Sequence, residues 1–366
     1  MQFIKIFFLL AVIASLFVSL NGQEKDDDIV RVETQIVDVP VVVTDKDGKP
    51  ILNLKQSNFI IYEDGKRQEV TEFSATAAPF EVALLLDTSG STRQDLNLIK
   101  RAAESFIASL RAGDRVSIIA YKTEVIDNRA TAVSEVLINL TDDRNKLKTA
   151  LENVKTTNGT PYYDSLLQVV EKVFGEKPAD AFRGRRALVA LTDGVDSVSA
   201  GDFEEVREKF AESGIVSYFV QINTRDFFEE NLLGDCQFAI RFSVAQLNRY
   251  YRTFYPNSNV EKVLDFCKLG DFERLDISKR LYELADKEMQ NLAKNSGGKV
   301  FPVEDVSGAR IAFKKVADEI GTKYSLGYYS SNEKRDGAFR KIKVEVTGVP
   351  AGVQIRAREG YTAPSK

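Results

Sequence analysis

The chain has 366 residues, with 54 acidic and 50 basic side chains and a formal net charge of -4. That balance lacks the basic surplus of a nucleic-acid binder. Histidine is absent and there are two cysteines, which excludes Ser-His-Asp and Cys-His catalysis, His-ligated zinc and four-thiolate metal sites. A metal held by this chain is held by oxygen, which favours Mg²⁺, Ca²⁺ or Mn²⁺.

Met1 to Gly22 places Lys5 ahead of an apolar run from Ile6 to Leu20. This is the grammar of a signal peptide cleaved near Gly22-Gln23. The alternative is an uncleaved anchor, although the run falls short of the ~20 residues that span a bilayer. Residues 23–28 form a charged leader, and no later segment has the length and apolarity of a membrane span. The expectation is an exported protein, periplasmic or secreted. Export would put Cys236 and Cys267 in an oxidising setting, where they could form one disulfide; two buried thiols are the alternative.

Three textures follow. From Ile29 to Ser74 the pattern is β, with Val41-Val42-Val43, the turn cluster Asp45 to Pro50, and Phe59 to Tyr62 leading into Asp64-Gly65, a hairpin signal. From Glu81 strands and helices alternate. Val82–Leu86, Val116–Tyr121, Ala187–Leu191, Ile215–Val220 and Lys299–Val303 read as strands. Leu96–Leu110, Asp143–Val154, Tyr162–Phe174, Phe203–Glu212, Tyr282–Asn295 and Ala309–Ile320 read as helices. Repeated β-α-β order implies a mostly parallel sheet wrapped by helices. From Lys323 the texture is β again, with Ile342, Val344 and Val346 alternating against charged residues. Isolated hairpins are marginal. The economical arrangement is therefore one small β-sandwich-like domain built from residues 29–79 and 323–362, into which an α/β domain at 80–322 is inserted, with a tail at 363–366.

Residues 223–280 break the alternation. They are rich in Phe and Tyr and contain both cysteines. A helix is expected from Val244 to Tyr251. The interval follows a parallel strand and should rise over the ligand-binding edge of the sheet. A lid, a partner surface, a self-inhibitory segment and a merely solvated insertion are all compatible with it.

Three loops on that edge carry oxygen. Asp87-Thr88-Ser89-Gly90-Ser91 closes the first parallel strand, Thr157 to Pro161 precedes a helix, and Thr192-Asp193-Gly194-Val195-Asp196 closes another apolar strand. Each taken singly has a capping role as its alternative, since Ser, Thr and Asp are favoured at helix N-termini. Together they bring two carboxylates and three hydroxyls to one edge. Carboxylates brought close repel unless a cation sits between them, and a divalent ion such as Mg²⁺ meets that need.

The constellation resembles the von Willebrand factor type A domain, or integrin I domain. The metal-ion-dependent adhesion site of that family reads Asp-x-Ser-x-Ser, then a distant Thr, then a distant Asp. The matching residues are Asp87, Ser89, Ser91, Thr160 and Asp193. The flanks are similar to exported acidobacterial proteins related to this family, on Tyr62 to Lys66 with Gln68, Tyr324 to Tyr328, and Arg356 to Tyr361. The resemblance implies a doubly wound, mostly parallel Rossmann-like sheet with one antiparallel edge strand. It implies Mg²⁺ (or Mn²⁺) ligated by Ser89 and Ser91, and directly or through water by Thr160, Asp87 and Asp193. An open coordination position would take an Asp or Glu carboxylate of a protein partner. The implied role is adhesion or protein–protein interaction, not catalysis. One alternative is an envelope scaffold acting through its β domain. Another is a Mg²⁺-dependent hydrolase, although the haloacid-dehalogenase pattern needs a second Asp where Ser89 stands. Neither nucleic acid nor a membrane span after cleavage is expected, and the oligomeric state is left open.

Overall fold

The computed structural model describes residues 36–74, 78–257 and 265–365, and at Ser91 the backbone alone. The expected signal peptide and leader lie outside the described residues. The chain opens with β1 (Ile36–Thr44), β2 (Phe59–Glu63), β3 (Lys66–Gln68) and β4 (Glu72–Ser74). The β2–β3 turn is Asp64-Gly65, both with positive φ (48° and 83°), as the dipeptide predicts.

The alternating region follows as β5 (Glu81–Leu86), α1 (Leu96–Ser109), β6 (Arg115–Ile126), β7 (Arg129–Thr141), α2 (Arg144–Glu152), α3 (Tyr162–Gln168), β8 (Arg186–Thr192), α4 (Phe203–Ser213) and β9 (Val216–Ile222). It continues with α5 (Arg225–Leu232), α6 (Val244–Phe254), α7 (Asp271–Ser296), β10 (Lys299–Val303) and α8 (Ala309–Ile320). The sheet order is β10-β9-β8-β5-β6-β7, parallel except for the antiparallel β6–β7 pair. Its strands are apolar on both faces because both faces are covered. Val82, Leu84 and Leu86 pack with α1 and α8 on one side, while Ala83 and Leu85 pack with α3, α4 and α7 on the other. The chain runs from β5 to β6 on one flank, whereas β8 lies on the opposite flank of β5. The crevice between β5 and β8 is therefore the topological switch point, where open α/β sheets bind ligands.

Two elements depart from the sequence reading. The strand expected at Val116–Tyr121 runs on to Ile126 and folds back as β7 through Asp127-Asn128, both with positive φ (50° and 60°). This hairpin has no glycine to announce it, but Asp and Asn tolerate that conformation better than most residues. The helix expected from Tyr282 begins at Asp271, so the end of the 223–280 insertion is the first part of α7.

The chain ends with β11 (Tyr324–Tyr329), β12 (Phe339–Val346), β13 (Gln354–Ala357) and β14 (Gly360–Thr362). Two four-stranded antiparallel sheets, β13-β1-β11-β4 and β14-β12-β2-β3, each combine strands from both flanking segments. β1 pairs with β11 from Ile36↔Tyr329 to Val41↔Tyr324, and β2 pairs with β12 from Phe59↔Val346 to Glu63↔Ile342. Their facing sides bury Val37, Val39, Val41, Ile61, Leu326 and Ile342. Glu63, buried between them, accepts hydrogen bonds from Tyr328 (2.7 Å), Ser330 (2.6 Å) and Tyr361 (3.1 Å).

Arg185 joins the two passages between these sheets and the central one. Fully buried, it donates to the carbonyls of Ala78 (2.6 Å) and Pro79 (3.0 Å) on the way in and Lys323 (3.3 Å) on the way out. Its guanidinium also lies over the Phe80 ring at 4.3 Å. Arg185→Met leaves three carbonyls without this donor, and we expect a loss of ~2–4 kcal/mol in urea unfolding. Lys323 is buried beside it and donates to Gly297 O at 3.0 Å. Burial lowers its ammonium from the usual 10.5 to about 7; Glu319 opposes the shift, and Arg356 and Arg185 add to it. Between those values the unfolded chain holds the extra proton, so the cost of burying Lys323 shrinks as pH rises through that window. In Lys323→Met the rise of the urea midpoint from about pH 7 to about pH 9 should be smaller than in the wild type.

Candidate metal centre

Asp87 follows β5 and stays in the sheet, its N–H donating to Leu191 O at 2.9 Å. Its Oδ1 accepts from the Ser89 N–H (3.0 Å) and its Oδ2 from the Thr192 hydroxyl (2.8 Å). Thr192 Oγ1 in turn accepts from the Gly194 N–H at 2.9 Å, so one hydroxyl couples the first loop to the third. The middle loop is tied to both. Thr157 N–H donates to Thr88 O (3.0 Å), Thr160 N–H to Ser197 Oγ (2.8 Å), and Ser197 N–H to Thr160 O (3.0 Å).

Asp193 follows β8. Its Oδ1 accepts from the Val195 N–H at 2.9 Å, and its Oδ2 from the Thr224 hydroxyl, which also hydrogen-bonds Tyr282 Oη at 2.8 Å. Gly194 turns with φ 75°, and a Cβ there would meet Met289 Cε at 2.9 Å; the loop turns tightly against α7 because no side chain intervenes.

Both carboxylates are buried. Burial raises Asp87 above the usual carboxylate range, against hydrogen bonds from Ser89 and Thr192. Asp193 is pushed up to about 7, first by burial and then by the Asp87 charge. Neither forms an ion pair with Lys or Arg among the described residues. The Tyr121 and Tyr162 hydroxyls and Thr88 Oγ1 are buried without hydrogen-bond partners. Both phenols are held well above their ordinary pKa, mainly by burial and further by charges that include Asp87 and Asp193.

Ser89, Thr160 and Asp193 line one cavity of about 690 Å³, with Asp87 buried behind. Four of the five sequence-predicted ligands thus share one place. The fifth, Ser91, enters the 3-10 turn Gly90–Asp95, and its side chain lies outside the described positions. The capping alternative is not what the first two loops do. Ser89 makes no side-chain cap to its turn, and the N-terminus of α3 is served by Asp196, which accepts from the Tyr162 N–H at 2.9 Å. Asp196 is therefore occupied with that cap; burial raises it to about 6. Thr192, Thr224 and Tyr282 belong to the site without having been singled out as ligands by the sequence. Thr192 alone carried a signal, its place beside Asp193.

Among the described residues no three acidic or cysteine side chains gather into a metal cage. The donor set is two carboxylates with hydroxyls, all hard oxygen. Its two carboxylates carry like charge, and no Lys or Arg among the described residues neutralises them. This chemistry fits a hard divalent ion.

The wall opposite these loops is the described part of the 223–280 insertion. Helices α5, α6 and the start of α7 enclose a core of Leu232, Phe242, Leu247, Tyr250, Phe266 and Ile277, into which Val195 of the third loop projects. Cys236 and Cys267 are joined by a disulfide, with Cα atoms 5.3 Å apart. Arg249 on α6 pairs with Glu288 on α7 at 2.6 Å, and Tyr163 on α3 donates to the same carboxylate at 2.8 Å. The insertion is thus clasped to the helix that follows Thr160.

A family model described as the von Willebrand factor type A domain matches residues 82–195. Solved structures similar to the chain include a von Willebrand factor type A protein from Catenulispora acidiphila, 12% identical, covering 91% of this chain and 75% of that one at a TM-score of 0.42. Proximal thread matrix protein 1 from the mussel byssus is 12% identical over 66% of this chain and 48% of that chain, with a TM-score of 0.41. Another structure of that mussel protein, described with a zinc-occupied MIDAS motif, is 14% identical over the same shares, also at 0.41. The chain spans about half the length of the mussel protein. No curated protein matches it. The segment that matches the von Willebrand factor type A family model contains Asp87 and Asp193 at the ends of adjacent central strands.

Proposed function

We propose that this chain is an exported interaction module that engages a protein partner through a divalent cation, Mg²⁺ or Mn²⁺, and has no catalytic role. One observation carries the reading. Asp87 and Asp193 are buried at the ends of neighbouring strands, no Lys or Arg among the described residues is paired to either, and they share their edge with Ser89 and Thr160. Asp87, Ser89, Thr160 and Asp193, with Ser91 as the remaining member of the motif, would hold the ion. When bound, that ion would supply a Lewis-acidic position open to an Asp or Glu carboxylate of the partner. Hydroxyl ligands suit this role because they leave the ion's charge largely uncompensated. The signal-peptide grammar of Met1–Gly22 and the joined cysteines support export.

Mn²⁺ binding followed by electron paramagnetic resonance should weaken at least ~100-fold in Asp193→Asn, and pull-down of the partner from the native cell envelope should be lost with a chelator. Capture that persists without metal would defeat the reading. Mg²⁺ should stabilise the wild-type fold, by ~2.7 kcal/mol at one hundred times its dissociation constant. Asp193→Asn should lose that increment, while its metal-free stability should depend less on pH because one of two like-charged buried carboxylates is gone. Urea unfolding with and without Mg²⁺, repeated across pH, reads both effects.

A further inference from the structure

The cavity at the metal edge has two unlike sides. One is the oxygen-bearing loops. The other is an aromatic wall that starts at the carboxylate itself. Thr224 bonds Asp193 and Tyr282. The Tyr282 ring lies 6.4 Å from Phe228, and Phe228 lies 5.6 Å from Phe242. Phe227, Phe228 and Phe242 all line the cavity. Ser278 lines it too, buried at 1% exposure, with an Oγ that has no hydrogen-bond partner. Arg93 and Arg241 are the cationic side chains of the lining. The volume of about 690 Å³ falls in the range of sites that swallow small molecules, ~300–1,000 Å³. A flat protein face cannot enter such a space, but a thin acidic segment can.

We infer that residues 223–257 and 265–282 turn the metal edge into a walled subsite selective for a carboxylate that carries an aromatic or bulky aliphatic group beside it. This rests on the metal-dependent reading above and specifies the ligand of that site. The acid reaches the edge at Asp193 and Thr160, and the apolar body lies on Phe227, Phe228 and Phe242. The ligand chemistry is shared by an acidic-aromatic loop or terminus of a protein partner and by a free aryl-alkyl acid.

The chain contains no tryptophan, so indole fluorescence reports the ligand alone. The probes are acetyl-Gly-Trp-Glu-Gly-amide, its Trp→Ala counterpart as competitor, and 3-(indol-3-yl)propionate with its neutral amide, each titrated into the full protein with Mn²⁺. Mn²⁺ binding is measured separately by electron paramagnetic resonance. The Trp peptide should bind about 10-fold or more tighter than the Ala peptide, and the indole acid should bind better than its amide. Phe227→Ala, at a half-exposed lining position that the fold does not depend on, should weaken the Trp peptide by several-fold while leaving Mn²⁺ binding unchanged. Phe242→Leu, which keeps the buried position apolar, should act in the same direction. Tighter binding of the peptide than of the free indole acid assigns the ligand to a partner segment, and the reverse order assigns it to a small acid. If Mn²⁺ binds but the Trp and Ala peptides compete equally, or no probe binds, this inference is wrong and the metal reading survives. If Mn²⁺ does not bind, the metal reading fails and takes the inference with it.

Discussion

Two carboxylates held out of water on neighbouring strands are the constraint around which the upper edge of this molecule is organised. A buried carboxylate without a counter-charge is costly, and two of them raise each other's proton affinity. Here Asp87 and Asp193 are bound by amides and hydroxyls, and no Lys or Arg among the described residues pairs with them. Thr192 serves Asp87 and Gly194 at once, and Gly194 lets the third loop turn inside the space left by Met289. Such local cost is commonly maintained where a site is waiting for something of the opposite charge.

The insertion depends on the same edge. It has its own apolar core, yet Val195, immediately beyond the Asp193-Gly194 turn, is one of that core's members. Arg249, Glu288 and Tyr163 lock α6, α7 and α3 together in a nearly dry environment, and the disulfide ties the stretch after α5 to the stretch before α7. A merely solvated excursion would show neither feature. Val195 therefore ties the third loop to the packing of the aromatic wall.

Much of this was legible in the residues. The all-apolar runs at Val82–Leu86 and Ala187–Leu191 could only be strands covered on both faces, and their closing aspartates marked the edge where side-chain oxygen collects. Asp64-Gly65 announced its hairpin through backbone geometry alone. What escaped notice did so for physical reasons. The β6–β7 ribbon turns on Asp127-Asn128, where two non-glycine residues accept left-handed conformations that composition does not advertise. The first turns of α7 sit inside a run whose aromatics obscure helical spacing. Thr224 and Tyr282 are separated from Asp193 by 31 and 89 positions, so only the pairing of β9 with β8 and the packing of α7 bring them to it.

Both passages between the flanking sheets and the central one lie under a single guanidinium, that of Arg185. The segments on either side of the α/β region are also hydrogen-bonded to each other along β1–β11 and β2–β12. Mechanical tension along those segments would accordingly be borne first by antiparallel ladders and only afterwards by the central sheet. The edge that carries Asp87 and Asp193 would lie outside such a path.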